Sequence, residues 1–182
     1  MKFNVKSIVL CSLFAALAGV GAFIKIPIPY VPISLQSFFT TLAGLLLGAH
    51  LGATSVAIYV IIGLLGIPVF TQGGGLAYIL QPTFGYLLGF ILGAFITGKI
   101  MENKKVSFLR SLIACLFGLI AIYAVGVPYF YIIANYFIGK PIGVLPLLSV
   151  GFLSTLPGDI IKCLVCALLA TKLIPIIRKG NL

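Results

Sequence analysis

Two carboxylates and one histidine are all the carboxylate and imidazole chemistry that 182 residues carry. One of those carboxylates stands where charge is costly. Asp159 lies in Leu156-Pro-Gly-Asp-Ile-Ile-Lys-Cys-Leu164, entering the last long apolar run, with Lys162 three residues later. Three residues along a helix bring two side chains to one face. A charge inside a bilayer costs roughly 2.5–3.5 kcal/mol on insertion scales and marks function by default. Pro157 suits a first helical turn, so Asp159 also stands near a helix N-terminus, where a carboxylate is favoured. Such a pair accepts hydrogen bonds on one side and donates them on the other. The competing reading is a structural ion pair that fixes the helices.

The rest of the chain offers no catalytic constellation. Glu102 sits in the basic stretch Glu-Asn-Lys-Lys and reads as a solvated surface charge. No histidine stands near a nucleophile, and no two carboxylates lie within reach of one another. Cys11, Cys115, Cys163 and Cys166 fall in apolar runs as small helix residues, and His50 is too far along the chain to complete a zinc site with them. Gly93-Ala-Phe-Ile-Thr-Gly98-Lys99 spells most of a phosphate loop, but Ile100 replaces the required hydroxyl and the segment lies in an apolar helix. ATP hydrolysis by this chain is excluded on that ground.

Other hydrogen-bonding groups cluster around two helix starts. The loop Gln72–Gly75 lets the amides of Gly73, Gly74 and Gly75 approach a ligand closely. Tyr78, Gln81, Thr83 and Tyr86 follow it. Gln36, Ser37 and Thr40 open the second run, where bonds between helices are the alternative use for Ser37 and Thr40.

The elements that must position these groups are membrane helices. Apolar residues make up 62% of the chain and charged ones 8%, with a mean hydropathy of +1.28. Gly44, Gly48 and Gly52 fall four apart, as do Gly85, Gly89 and Gly93. Ala15–Gly19 and Ala18–Ala22 repeat the spacing in the first run. In lipid, helices associate by close backbone contact, which small residues permit. Six apolar runs follow, near 5–24, 35–48, 51–67, 83–100, 108–127 and 147–174, in one transmembrane domain over 1–182. The second is short enough to be re-entrant or tilted.

Basic residues set the orientation. With six spans and both termini cytoplasmic, Lys2, Lys6, Lys99, Lys104, Lys105, Arg110, Lys172, Arg178 and Lys179 lie inside. Only Lys25, Lys140 and Lys162 are left over. The net charge of +10 is then an orientation signal and an attraction to anionic membrane lipid, with no solvated basic domain for nucleic acid. The outer loops are the unusual ones: a proline-rich 25–34, the glycine loop within 68–82, and a long aromatic segment near 128–146.

Several of these segments together resemble one family. They are Val31-Pro-Ile-Ser-Leu-Gln-Ser-Phe-Phe39, Leu42-Ala-Gly-Leu-Leu-Leu-Gly48, Gly66-Ile-Pro-Val-Phe70, Pro82-Thr-Phe-Gly-Tyr-Leu-Leu-Gly-Phe90 and Leu156-Pro-Gly-Asp-Ile-Ile-Lys162. In that order they are similar to BioY, the biotin-specific S component of energy-coupling factor (ECF) transporters. Gln81 and Phe84 depart from it, standing where smaller residues are expected.

The resemblance implies an all-α bundle of six transmembrane helices in a prokaryotic cell membrane. It implies capture of biotin at the outer face and docking on a coupling subunit driven by two ATP-binding subunits, which use the ATP; this chain binds no cofactor. The small face Ala15, Ala18, Gly19 and Ala22 is the candidate docking surface, with a contact inside the bundle as its alternative. Biotin's ureido ring presents N–H donors beside a carbonyl, matching Asp159 as acceptor and Lys162 as donor. The tail carboxylate would meet the amides of Gly73–Gly75, or Gln36 or Thr40; the reverse assignment puts Lys162 on the carboxylate. An S component for another vitamin, a small membrane enzyme using Asp159, and a self-sufficient facilitator are the other readings.

Overall fold

The computed structural model describes residues 5–28, 30–102, 105–139 and 141–179. Lys2, Lys104 and Lys140 lie outside them, as do the side chains of Arg178 and Lys179. Helix α1 (Val5–Phe23) leads into a short antiparallel hairpin, β1 (Lys25–Ile26) and β2 (Ile33–Ser34), paired Lys25 with Ser34 and Ile26 with Ile33. Then come α2 (Gln36–Leu47), α3 (Ala49–Leu64), a 3₁₀ turn (Leu76–Leu80), α4 (Phe84–Met101) and α5 (Phe108–Ile132). A five-residue α6 (Val144–Leu148) runs through a π turn (Ser149–Leu153) toward α7 (Leu156–Lys179). The all-α membrane fold stands, with six helices of twelve residues or more among the described residues.

Each of the six expected runs corresponds to a helix, but the helices differ in length. Four helical stretches are long and apolar enough to cross: 5–23, 84–101, 108–137 and 144–177. Helices α2 and α3, with 12 and 16 residues, fall short. At 1.5 Å per residue they reach about 18 and 24 Å against a hydrocarbon core of about 30 Å. Gly48 adopts φ +83° and joins the two helices directly; α2 follows its short apolar run almost end to end, while α3 stops at Leu64, three residues before the run's expected end.

The third outer segment differs in the other direction. The sequence places the end of the fifth run before Pro128, yet α5 continues through it to Ile132 and on into a π turn over Ile133–Phe137. Proline removes one backbone donor, a loss that neighbouring groups in a membrane helix can absorb. Asn135 then pins the short loop that follows, donating to Tyr131 O (3.0 Å) and Ile142 O (3.2 Å) and accepting from Ile142 N (3.1 Å).

Small residues set the helix crossings. A Cβ on Gly44 would stand 2.4 Å from Ala94 O, on Gly52 2.8 Å from Gly44 Cα, and on Gly89 2.7 Å from Ile122 O. Helix α2 is thereby drawn against α4 and α3, and α4 against α5. Gly93 and Gly98, the glycines of the false phosphate loop, serve the same purpose against α5 and the α2–α3 junction. α2 is thus the central strut, touching α1, α3, α4, α5 and α7. At the far end from the hairpin, Glu102 bonds Lys99 at 2.9 Å, and that ammonium holds its carboxyl below the usual range.

Candidate functional site

Where α7 begins, its first turns face the hairpin and the start of α2. Asp159 Oδ1 lies 2.6 Å from Lys162 Nζ, and both side chains are nearly buried, at 11% and 13% exposure. Ser37 Oγ donates to the same carboxylate oxygen at 2.9 Å. Tyr123 OH, from the middle of α5, donates to Oδ2 at 2.5 Å, and Thr155 Oγ1 lies 2.8 Å from that hydroxyl. Lys162 donates further to Ser37 Oγ and to the backbone carbonyl of Ser34, both at 2.8 Å. An ammonium has three hydrogens, and all three are used. The carboxylate keeps spare acceptor capacity at Oδ2.

These groups line a cavity of about 50 Å³ beneath the hairpin. Asp159, Lys162, Gln36, Tyr78, Thr83 and Tyr86 of the expected set all face it. Its roof is Val31–Ser34, and Leu87, Phe90 and Ile122 form an apolar wall. Gln36 donates to Tyr59 OH, Tyr86 to Gly151 O at 2.7 Å, and Thr83 to Tyr78 OH at 3.1 Å. The π turn places Gly151 O where Tyr86 reaches it; such turns inside helices are frequent at functional sites. Lys25 donates to Thr71 O, tying the hairpin to the loop after α3.

Other expected residues lie elsewhere. Thr40 is buried below the cavity, with its hydroxyl on Ser37 O at 3.2 Å, a bond within its own helix. The glycine-loop amides do not face the cavity either. Gly73 N bonds Phe70 O at 3.3 Å and Gly75 N bonds Gly63 O at 2.7 Å. A Cβ on Gly74 would stand 2.3 Å from Ile67 O, so these glycines fold the loop back onto α3. Gln81 lines a second, outer cavity of about 220 Å³ with Tyr30, Gln72 and Phe130.

The small face of α1 divides in two. Ala18 and Ala22, each 1% exposed, are interior and cannot meet a partner. Ala15, 5% exposed, and Gly19 are buried as well, but they lie at the bottom of a groove between α1 and α3, with Ser12, Ala16 and Ile62 on its flanks.

Sequence reasoning missed Tyr123 and Thr155. Each had a signal: a hydroxyl in the middle of an apolar span, and a threonine immediately before Leu156-Pro-Gly-Asp. We expect Tyr123→Phe to weaken ligand binding about threefold to tenfold, because the Asp159 carboxylate loses a hydrogen bond that positions it. Titration calorimetry reads this directly, and unchanged affinity removes Tyr123 from the site.

Fold and site together define a small multi-pass helical membrane protein whose binding chemistry is gathered beneath the loops at one end. The BioY family description matches residues 1–179, and the chain belongs to that family. It is 45% identical over 176 residues to a probable biotin transporter BioY of Lysinibacillus sphaericus, covering 96% of this chain and 90% of that protein. It is 41% identical over 169 residues to a biotin transporter BioY of Thermotoga maritima, covering 92% and 95% respectively. Among solved structures, a crystal structure of the S-component for biotin from an ECF-type ABC transporter superposes with a TM-score of 0.80 at 29% identity, over 95% of this chain and 94% of that one. The folate-bound FolT structure, at 0.60 and 18%, shares the fold.

Proposed function

We propose that this chain is the biotin-capture S component of an energy-coupling factor transporter, a multi-pass protein of a prokaryotic cell membrane. The observation that carries the reading is the buried pair Asp159–Lys162 in a cavity lined by Ser37 and Tyr123. A cyclic urea offers N–H donors and a carbonyl side by side. Asp159 Oδ2 accepts from the N–H, and the urea carbonyl takes the place of Ser34 O on Lys162. A desolvated site of this kind rejects analogues lacking the pattern, because its own polar groups would go unpaired. The apolar ring system rests on Leu87, Phe90 and Ile122.

In this reading residues 1–182 are one transmembrane domain, with six helices and both termini cytoplasmic. Nine of twelve basic residues then fall inside, and the hairpin and site face out. A coupling subunit docks in the groove between α1 and α3, over the buried floor of Ala15 and Gly19, where the small, exposed Ser12 and Ala16 allow a helix to approach closely. ATP is used by two ATP-binding subunits beyond it.

Mass spectrometry of the small molecule that copurifies with the detergent-extracted chain tests the ligand. Biotin is expected; a different vitamin or a lipid overturns the assignment. Ala16→Trp fills the groove far from the pocket. It is expected to leave biotin affinity unchanged and to abolish copurification with the coupling subunit. Retained copurification removes the groove from the interface.

A further inference from the structure

The second cavity has no part in holding a ureido ring, yet it is larger than the first, at about 220 Å³ against 50 Å³. The two adjoin. Tyr30 lines the outer one and Val31 the inner, and Pro82 and Thr83 divide in the same way. Chain neighbours thus line the two cavities at both places. Tyr30 holds φ +66°, uncommon for a residue with a side chain, and its ring lies against Phe130 at 5.8 Å between centroids. Phe130 and Ala134 make a buried apolar floor. Gln72 and Gln81 are exposed at the rim and bring two carboxamides to the mouth.

With the ring end at Asp159 and Lys162, a carbon chain passing Val31 and Thr83 would enter this cavity. We propose that the second cavity binds the carboxyl end of the ligand together with whatever is amide-linked to it, so that the protein captures biotin amides as well as the free acid. The inference rests on the biotin reading above. Its chemical ground is the rim. A carboxamide both donates and accepts, so it pairs with a carboxylate or with an amide. The open mouth leaves room for atoms beyond the carbonyl.

The test is titration of the full chain in detergent with three compounds: biotin, its primary amide, and the bicyclic urea carrying a methyl group in place of the chain. Biotin and the amide are expected to bind wild type within about threefold of one another. Ala134→Leu, which fills the floor, is expected to weaken both at least about tenfold and to leave the chain-less urea unchanged. Gln81→Ala, at an exposed position that does not threaten the fold, is expected to weaken both about threefold with the urea again unchanged.

An amide more than about thirtyfold weaker than biotin overturns the proposal, as do two variants that bind biotin like wild type. Wild type that binds the urea and biotin equally well also overturns it, since the chain then contributes nothing. Failure of wild type to bind any of the three overturns the biotin reading itself and this inference with it.

Discussion

Asp159→Asn is expected to weaken biotin binding at least tenfold, read by calorimetry on detergent-solubilised protein. The carboxylate accepts from Ser37, Tyr123 and Lys162. An amide nitrogen at either position sets a donor against a donor. If it takes the Oδ1 position it faces Lys162 and Ser37; at Oδ2 it faces Tyr123 and the N–H of the ligand. The change also leaves a nearly buried ammonium without its counter-charge, a loss of about 3–5 kcal/mol when one partner of a buried pair is removed. A double variant separates ligand binding from scaffolding. Asp159→Asn with Lys162→Met removes both charges and is expected to recover thermal stability over the single variant while binding stays lost. Recovery of binding with stability makes the pair structural, and unchanged affinity in Asp159→Asn removes the residue from the site.

Gly44→Leu is the second large effect, on folding instead of ligand contact. Its Cβ would stand 2.4 Å from Ala94 O and 3.0 Å from Ala94 Cα, both backbone atoms of α4. Backbone cannot move aside as a flexible side chain does, so the crossing must open. Overpacking typically costs about 1–3 kcal/mol, and a backbone collision lies at or above the top of that range. Because α2 carries Gln36 and Ser37 to the pocket, the displacement reaches the site. We expect loss of most folded protein, measured by size-exclusion chromatography after extraction, and at least a tenfold loss of biotin affinity in what remains. Gly48→Leu gives a contrast. A Cβ added there would meet nothing within 4 Å, but the position needs φ +83°, so its cost is confined to the backbone. A Gly44→Leu protein as stable as wild type would sink the close-crossing account.

Different physical signals make some features legible in the sequence and hide others. Charge in an apolar run is conspicuous, so Asp159 and Lys162 stand out directly. Small residues at spacing four mark the crossings of α2, α3, α4 and α5, because lipid leaves close approach as a principal driving force. The shortness of α2 is legible in its apolar run, whereas hydropathy does not report the last residues of the third run, which leave α3 for the loop after Leu64. The hairpin Lys25–Ser34 is hidden by its prolines, which argue for extended chain without specifying a partner. Glycine in the loop 72–75 signals an unusual backbone or close approach, but not to what. Here the close approach is to α3 at Gly63 and to Ile67 just beyond it. Tyr123 requires knowing which face of α5 turns toward α7, and that is fixed by tertiary packing alone.

One consequence follows from the way Lys162 is satisfied. With every hydrogen of its ammonium engaged, one of them by the Ser34 carbonyl, the resting protein carries its own stand-in for the incoming molecule. A newcomer must evict that carbonyl before it can settle. If release of that carbonyl precedes entry, the association rate is expected to level off as solute concentration climbs, and a rate that stays linear removes this step.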